Sequence, residues 1–295
     1  MISGLVTIAI PAYKSTYLRE AIDSALAQDY KNIELVIVND KSPYDIDSIV
    51  QSYNDVRIRY YVNEKNLGKK SIVHNWNRCL DYACGEFFVL LADDDALMPN
   101  FVSELLRLAE KYPQCNVFHG RRCIKNEETG EINNDAAWPE YETSEQFFNE
   151  KLDSNRPHTI TEFLYRTEYI KKIKYVIFPL GWCSDDASVT AFVKKGGIAS
   201  SSDVVAMFRV SNIHISNPAC FHYIKAKVRI MYMGELLTKA NDEITQRKII
   251  GLLEYLILSI LKKCSYVDRM RILSITPCYV FNLKQKIYLL LSKRI

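Results

Sequence analysis

The sequence lacks the glycine-rich loops that cradle phosphate in two large classes of nucleotide-binding protein. Neither G-x-G-x-x-G nor G-x-x-x-x-G-K-[ST] occurs in its 295 residues, which argues against a dinucleotide-dependent dehydrogenase and against a P-loop NTPase. The eight cysteines (Cys79, Cys84, Cys115, Cys123, Cys183, Cys220, Cys264 and Cys278) form no C-x-x-C pair, and no histidine stands at zinc-ligand spacing from two of them. Neither a zinc module nor a dithiol redox site is therefore expected. No signal-peptide pattern opens the chain, so reduced thiols in a cytoplasmic protein are the expectation. Long apolar runs are missing too. The longest near the end, Ile249 to Leu261, has 13 residues and contains Glu254, too short for a membrane span. A net charge of +3 is too small to imply a nucleic-acid partner.

What is present is an ordinary globular composition, 48% hydrophobic and 25% charged, with an uneven charge distribution. From Pro218 to Ile295 there are 14 Lys and Arg against 5 Asp and Glu, a local balance of +9 that leaves about −6 for the preceding 217 residues. Short apolar runs alternate with helix-spaced stripes up to about Gly120. Leu5–Ile10, Ile33–Val38, Val56–Val62 and Phe87–Leu91 read as strands; Leu18/Ala21/Ile22/Ala25, Ile46/Ile49/Val50/Tyr53, Val73/Trp76/Leu80 and Val102/Leu105/Leu106 read as the helices between and after them. Ser42-Pro43-Tyr44-Asp45 predicts the start of the second helix, with Ser42 as cap and Pro43 at the first position. The alternation implies right-handed βαβ units, and so an α/β fold with a mainly parallel sheet flanked by helices. From Arg121 the rhythm breaks: Lys125–Glu131 reads as an exposed hairpin turn, Ile132–Glu142 as loop, Thr159–Tyr165 as a strand, Glu168–Ile173 as a short helix. A helix follows Asp185-Asp186, Gly196-Gly197 terminates it, and Val204–Val210 is a further strand. Beyond Pro218 the pattern is helical. Residues 1–217 and 218–295 are thus expected to be an α/β domain and a basic helical extension.

The fourth strand ends abruptly in Asp93-Asp94-Asp95. Three carboxylates at one strand end repel each other, and a divalent cation, which takes oxygen ligands, would make the cluster favourable; the alternative is a solvated acidic turn capping the helix after Pro99. In a parallel sheet the ends of strands one, two and four share a rim, where open α/β folds bind ligands. Tyr13, Asp40 and the triplet would then line one crevice. An aromatic face, a carboxylate for a base or ribose, and a metal site for phosphates are the parts needed to hold a nucleoside diphosphate.

Read in order, Val6–Tyr13, Ala25–Tyr30, Glu34–Asp40, Asn66-Leu67-Gly68, Trp76-Asn77-Arg78 and the Asp triplet with Pro99 resemble the family 2 glycosyltransferases, over roughly Ser3 to Ser216. The resemblance implies a GT-A-type Rossmann-like fold and an inverting, nucleotide-sugar-dependent transferase (hexosyl- or N-acetylhexosaminyl-transferring) with a divalent cation, Mn2+ or Mg2+. By matched position, Pro11, Ala12 and Tyr13 would border the nucleobase, Asp40 would bind base or ribose, Asn66 would lie in the nucleotide site, and Asp93 would lie nearest the ribose. Asp94 would be the main metal ligand, with Asp95 assisting. Ala92 stands where many members have the first Asp of D-x-D, and the segment Lys69–Val73 is longer than the commonest form. Lys69 or Lys70 would reach the diphosphate or else be a solvated lysine. Arg209 and His214 follow a strand where members often carry an Arg and a His at the diphosphate or metal. The family's catalytic base sits in an acidic pair at a helix start, here Asp185-Asp186; both remain candidates, and Asp185 would also serve as a helix cap.

The donor expected by default is UDP-linked, and the acceptor a glycan or lipid-linked glycan of a bacterial-type surface polysaccharide. The basic C-terminal helices would either lie on anionic lipid at the inner face of the cell membrane, as a peripheral membrane contact, or pack on the core with a solvated basic face. Two other functions compete. A nucleotidyltransferase of related fold needs a glycine-rich loop after its first strand, and Tyr13-Lys14-Ser15-Thr16-Tyr17 has no glycine. A non-catalytic nucleotide-sugar-binding protein would be expected to have lost an acid site, and all three are present.

Overall fold

A computed structural model describes residues 1–154, 156–211, 221–240 and 242–291; His214 and Cys220 lie outside the described residues. The chain forms two compact units, Met1–Phe148 with Pro157–Ser211, and Asn149–Arg156 with Asn212–Ile295.

The first unit is a sheet with helices on both faces. It begins β1 (Ile2–Ala12), α1 (Leu18–Leu26), β2 (Ile33–Asn39), α2 (Ile46–Gln51), β3 (Ile58–Val62), α3 (Val73–Tyr82) and β4 (Gly85–Leu90). These four strands are parallel in the order β3-β2-β1-β4. β2 is buried at every position, as an interior parallel strand covered on both faces should be. Ile8, Ile10, Leu35 and Ile37 face α1 and α2, while Ala9, Val36, Val38, Phe88 and Leu90 face α3. Pro11 does not end the first strand, which runs on to Ala12 beside Asn39. The start of α2 also differs from expectation. Its cap is Asp45, accepting from the Ser48 amide at 3.1 Å; Ser42 instead accepts from the Tyr44 amide and donates to the Tyr13 carbonyl at 2.6 Å.

Beyond β4 come β5 (Ala96–Leu97), α4 (Phe101–Lys111), β6 (Val117–Asn126), β7 (Ile132–Asn134), β8 (Tyr141–Glu142), α5 (Ser144–Ser154), β9 (Phe163–Arg166), α6 (Thr167–Ile173), α7 (Ser184–Phe192) and β10 (Ile198–Val210). The sheet continues β4-β9-β6-β10-β5. β9 is antiparallel to both β4 and β6, and β6 pairs parallel with β10, so the parallel character holds for the regular half and the second half is mixed. The strand itself runs past Arg121, to Asn126, and turns back into β7 at the expected hairpin, with the Asn126 amide donating to the Glu131 carbonyl at 2.9 Å. β10 starts six residues earlier than Val204, and its register shifts between Ser201 and Ala206. Gly196 and Gly197, at φ 91° and 74°, supply the left-handed turn that other residues resist.

The second unit is helical: α8 (His222–Lys239), α9 (Glu243–Leu261), α10 (Tyr266–Ile275) and α11 (Leu283–Leu291). Asp242 caps α9 through the Thr245 amide at 2.8 Å, and Ser265 caps α10 through that of Asp268 at 3.2 Å. On α9, Ile249, Leu253, Leu256, Ile257, Ile260 and Leu261 are buried and Ile250 is half-buried, whereas Met231 of α8 is exposed. No helix among the described residues is long and apolar enough to cross a membrane.

Candidate functional site

The parallel strands deliver their ends to one rim, and the acid triplet sits there on a turn after β4. Its three carboxylates have different surroundings. Asp93 is buried and accepts from the amides of Tyr13 and Lys14, both at 2.7 Å, so the end of β1 is tied to the end of β4. Asp95 is buried and accepts from the Thr161 hydroxyl at 2.6 Å and from the Arg209 amide at 3.0 Å. Asp94 is the least buried of the three, 13% exposed at its side chain, and the Lys14 ammonium lies against it and 3.9 Å from Asp93. Burial, reinforced by the charge of Asp94, pushes Asp93 up to about 6 and Asp95 up to about 7. Burial works against the charge of Lys14 as well, but Asp94 and Asp93 outweigh it and hold its pKa above the usual lysine value.

Arg209 is buried against the triplet. Its guanidinium donates through Nε to the Asp94 carbonyl at 2.7 Å, meets Glu20 at 2.5 Å and pairs with Glu127, with its Cζ 4.0 Å from the Tyr17 ring centroid. That buried arginine is committed to shaping the turn. Tyr13 is exposed and stands edge-on to Tyr44, centroids 6.3 Å apart; Ala12 is core, and Pro11 is half-buried.

Asp40 follows β2 and is buried. Its Oδ1 accepts from the Leu67 amide at 2.8 Å and the Asn63 side chain at 2.8 Å, its Oδ2 from the Gly68 amide at 2.7 Å. Asn66 closes the same loop, accepting from the Lys69 amide at 2.7 Å; Lys69 and Lys70 are exposed. The loop carries contact onward. Gly181, at φ 76°, lies so close to Ile72 that a Cβ would fall 2.5 Å from Ile72 Cγ1, and the Leu180 amide donates to the Lys70 carbonyl at 3.3 Å. Leu180 and Cys183 also have positive φ, 60° and 58°, a strain of about 1–2 kcal/mol each for a non-glycine residue. This tight turn aims the first turn of α7, with Asp185 and Asp186, from a fixed seat. Asp185 Oδ1 accepts the Asp186 amide at 2.9 Å.

Several participants carry no sequence signal of their own. Thr161 and His158 come from the irregular segment before β9, and the Nε2 of His158 lies 3.5 Å from Asp186 Oδ1. Arg122, buried on β6, meets Glu162 at 3.2 Å and Asp135 at 2.7 Å behind the triplet. Lys14 carries a signal in the sequence, since it adjoins Tyr13 at the end of the first motif.

Among the described residues no three His, Cys, Asp or Glu side chains converge as a metal cluster. The donors nevertheless fit a hard cation that brings most of its ligands with it. Mg2+ is typically held by one or two carboxylates plus substrate phosphates and water, and Asp94 presents a carboxylate already occupied by a positive group.

The glycosyl transferase family 2 model matches residues 7–174. An uncharacterized glycosyltransferase of Rickettsia typhi is 43% identical over 110 residues, 37% of this chain and 33% of that protein. A Campylobacter jejuni protein named GalNAc(5)-diNAcBac-PP-undecaprenol beta-1,3-glucosyltransferase is 34% identical over 109 residues, 36% of this chain and 35% of its own length; the chain thus spans about a third of each relative. Among solved structures, S. aureus TarS in complex with UDP-GlcNAc superposes with a TM-score of 0.67 at 16% identity, over 97% of this chain and 89% of that one. The mannosyltransferase PcManGT from Pyrobaculum calidifontis in complex with GDP-Man and Mn2+ does so with 0.58 at 14%, over 96% and 84%. The shared fold is the GT-A-type arrangement expected from the sequence, and the chain belongs to glycosyl transferase family 2.

Proposed function

We propose that this protein transfers a sugar, with inversion, from a nucleotide-sugar to a glycan or lipid-linked glycan acceptor in surface polysaccharide assembly. The observation that carries the reading is the shared rim: Tyr13, Lys14, the loop anchored by Asp40 and the triplet stand together, and the loop is in contact with the turn that aims Asp185-Asp186. The exposed Tyr13 ring offers a face for the base, and Asp94 with Lys14 would meet the diphosphate end. A UDP-sugar is the favoured donor, supported by the UDP-GlcNAc complex of TarS, although the GDP-Man complex of PcManGT makes both nucleotides worth assaying.

Asp94 would hold a divalent cation, Asp95 and Asp93 shaping the turn around it, and a bound cation would neutralise charge developing on the leaving diphosphate. Asp186 acts as the base: it takes the proton of the acceptor hydroxyl as that oxygen bonds to the anomeric carbon and the bond to the nucleoside diphosphate breaks. Asp185, bonded to its neighbour's amide, completes the helix start. The lipid-linked acceptor named for the Campylobacter jejuni relative, and the +9 balance of the C-terminal region, support an acceptor met at an anionic membrane surface.

Isothermal titration of UDP- and GDP-sugars with and without Mn2+ tests the reading. Wild type should bind a nucleotide-sugar more tightly with Mn2+, and Asp94→Ala should lose the metal's contribution. Failure of the wild type to bind any nucleotide-sugar refutes it.

A further inference from the structure

The segment joining α5 to β9 touches both acid sites. Thr161 donates to Asp95 at 2.6 Å and accepts the Ala92 amide at 3.3 Å. Three residues earlier, His158 points its Nε2 at Asp186 Oδ1, 3.5 Å away. The segment is itself pinned, with the Thr159 amide donating to Glu162 Oε1 at 2.8 Å and the Glu162 carbonyl accepting from the Gly120 amide at 2.9 Å. One short stretch therefore sets the position of the triplet and of the acid pair from the same side.

The imidazole is held in an aromatic box. Its side chain has 0% exposure. Phe163 stands edge-on to it at 5.4 Å and 88°, and Trp138 at 6.3 Å and 72°. Trp138 is fixed in turn by stacking on His119, centroids 3.6 Å apart and 10° from parallel. A site asking only for apolar volume would be filled more cheaply by phenylalanine, since burying a polar ring costs free energy unless it is hydrogen-bonded. The partner this ring faces is 30% exposed, so one oxygen of Asp186 meets the imidazole while the carboxylate stays within reach of solvent.

We propose that His158 is a positioning residue for the base, an assignment that rests on Asp186 being that base. Its Nε2–H donates to Oδ1 of Asp186 and fixes the carboxylate rotamer in which the group meets the acceptor hydroxyl. The 3.5 Å separation is a contact rather than a formed bond, and such contacts close when substrate displaces solvent from the site. The imidazole gains and loses no proton in this scheme; it holds one, at Nε2. A donor fixed within a water-free box is electrostatically stronger than one in water, and orientation of a catalytic carboxylate is what it supplies.

The test compares His158→Phe, which keeps a buried ring and removes the donor, with His158→Gln, whose side-chain amide can place an N–H near the position of Nε2. Hydrolysis of UDP-GlcNAc, UDP-glucose and GDP-mannose with Mn2+ is the assay, water serving as acceptor, with Asp186→Asn as reference. His158→Phe should lower kcat on the order of tenfold or more, part of the factor a placed base supplies. Its KM and nucleotide affinity should stay within about twofold, the signature of a group acting after binding. His158→Gln should recover most of the loss. If both are folded and equally slow, or if His158→Phe turns over at the wild-type rate while Asp186→Asn does not, His158 does not position the base. If Asp186→Asn is fully active, or the wild type hydrolyses none of the donors, the reading of the base or of the reaction fails instead. Should His158→Phe not fold, a folded His158→Gln below one tenth of the wild-type kcat overturns the proposal.

Discussion

Replacing Asp40 by Asn separates two ways in which this carboxylate can serve a nucleotide. If it touches base or ribose directly, Asp40→Asn costs affinity and leaves the fold alone. If it anchors the 63–68 loop, as its three bonds of 2.7 to 2.8 Å indicate, the cost falls on stability first. An amide keeps one acceptor oxygen but turns an N–H2 group toward donors that previously met a second oxygen, and neither the Gly68 amide nor the new donor then has a partner. Hydrogen bonds to a charged group contribute about 1.5–3 kcal/mol each, and a stranded buried donor costs about 1–3 kcal/mol. The bonds share one loop and are not additive, so about 3 kcal/mol for the set is reasonable. For a unit of roughly 200 residues, at about 2–4 °C per kcal/mol, this lowers Tm by about 6–12 °C. Thermal unfolding followed by circular dichroism, with urea titration as a second measure, checks the number. Nucleotide affinity should fall too, because the loop carries Asn66, a residue of the proposed nucleotide site. A Tm within about 1 °C of wild type together with abolished nucleotide binding would refute the anchoring argument and restore direct contact.

Lys14→Gln removes the ammonium that sits on Asp94. With the side chain one quarter exposed, the competing interaction is worth about 1 kcal/mol, so Mn2+ binding to the nucleotide-free protein, read from the electron paramagnetic resonance of free Mn2+, should tighten about fivefold; unchanged or weaker binding refutes the competition. Glu34→Gln should destabilise the first unit by about 2 kcal/mol in urea titrations at neutral pH, since Glu34 accepts from Thr7 at 2.5 Å, from the Cys84 amide at 2.7 Å and from Arg59 at 2.5 Å. Burial alone would raise this carboxyl, but the Thr7, Cys84 and Arg59 donors outweigh it and hold it below the usual glutamate value. The wild-type advantage is therefore complete above the unfolded glutamate pKa of about 4.3 and is lost as pH falls through the lower folded value; a difference that stays constant from pH 6 to pH 3 contradicts the assignment.

The parts of this protein legible in its sequence are those where local pattern and tertiary environment agree. β1, β2 and β4 are apolar runs because both sheet faces are covered, and each ends where a polar or acidic residue leaves the sheet, so Tyr13, Asp40 and the triplet could be placed on one rim without coordinates. β9 could not be placed between β4 and β6: it is a four-residue strand, and nothing local encodes an antiparallel insertion. The first half of β10 was hidden by Ser200-Ser201-Ser202-Asp203, which reads as a turn but includes Ser200 and Ser201 paired with His119 and Gly120 of β6. α5 went unread because its buried apolar residues, Phe147 and Leu152, are too few to mark a stripe. The same division runs through the site. A carboxylate at a strand end announces itself, but which of its oxygens faces ligand depends on donors brought from far along the chain. Thr161 comes to Asp95 from 66 residues away, Arg209 from 114, and Gly68 to Asp40 from 28. Those donors turn three similar aspartates into two that hold the turn and one that meets Lys14, and by the same logic a histidine with no motif of its own comes to face Asp186.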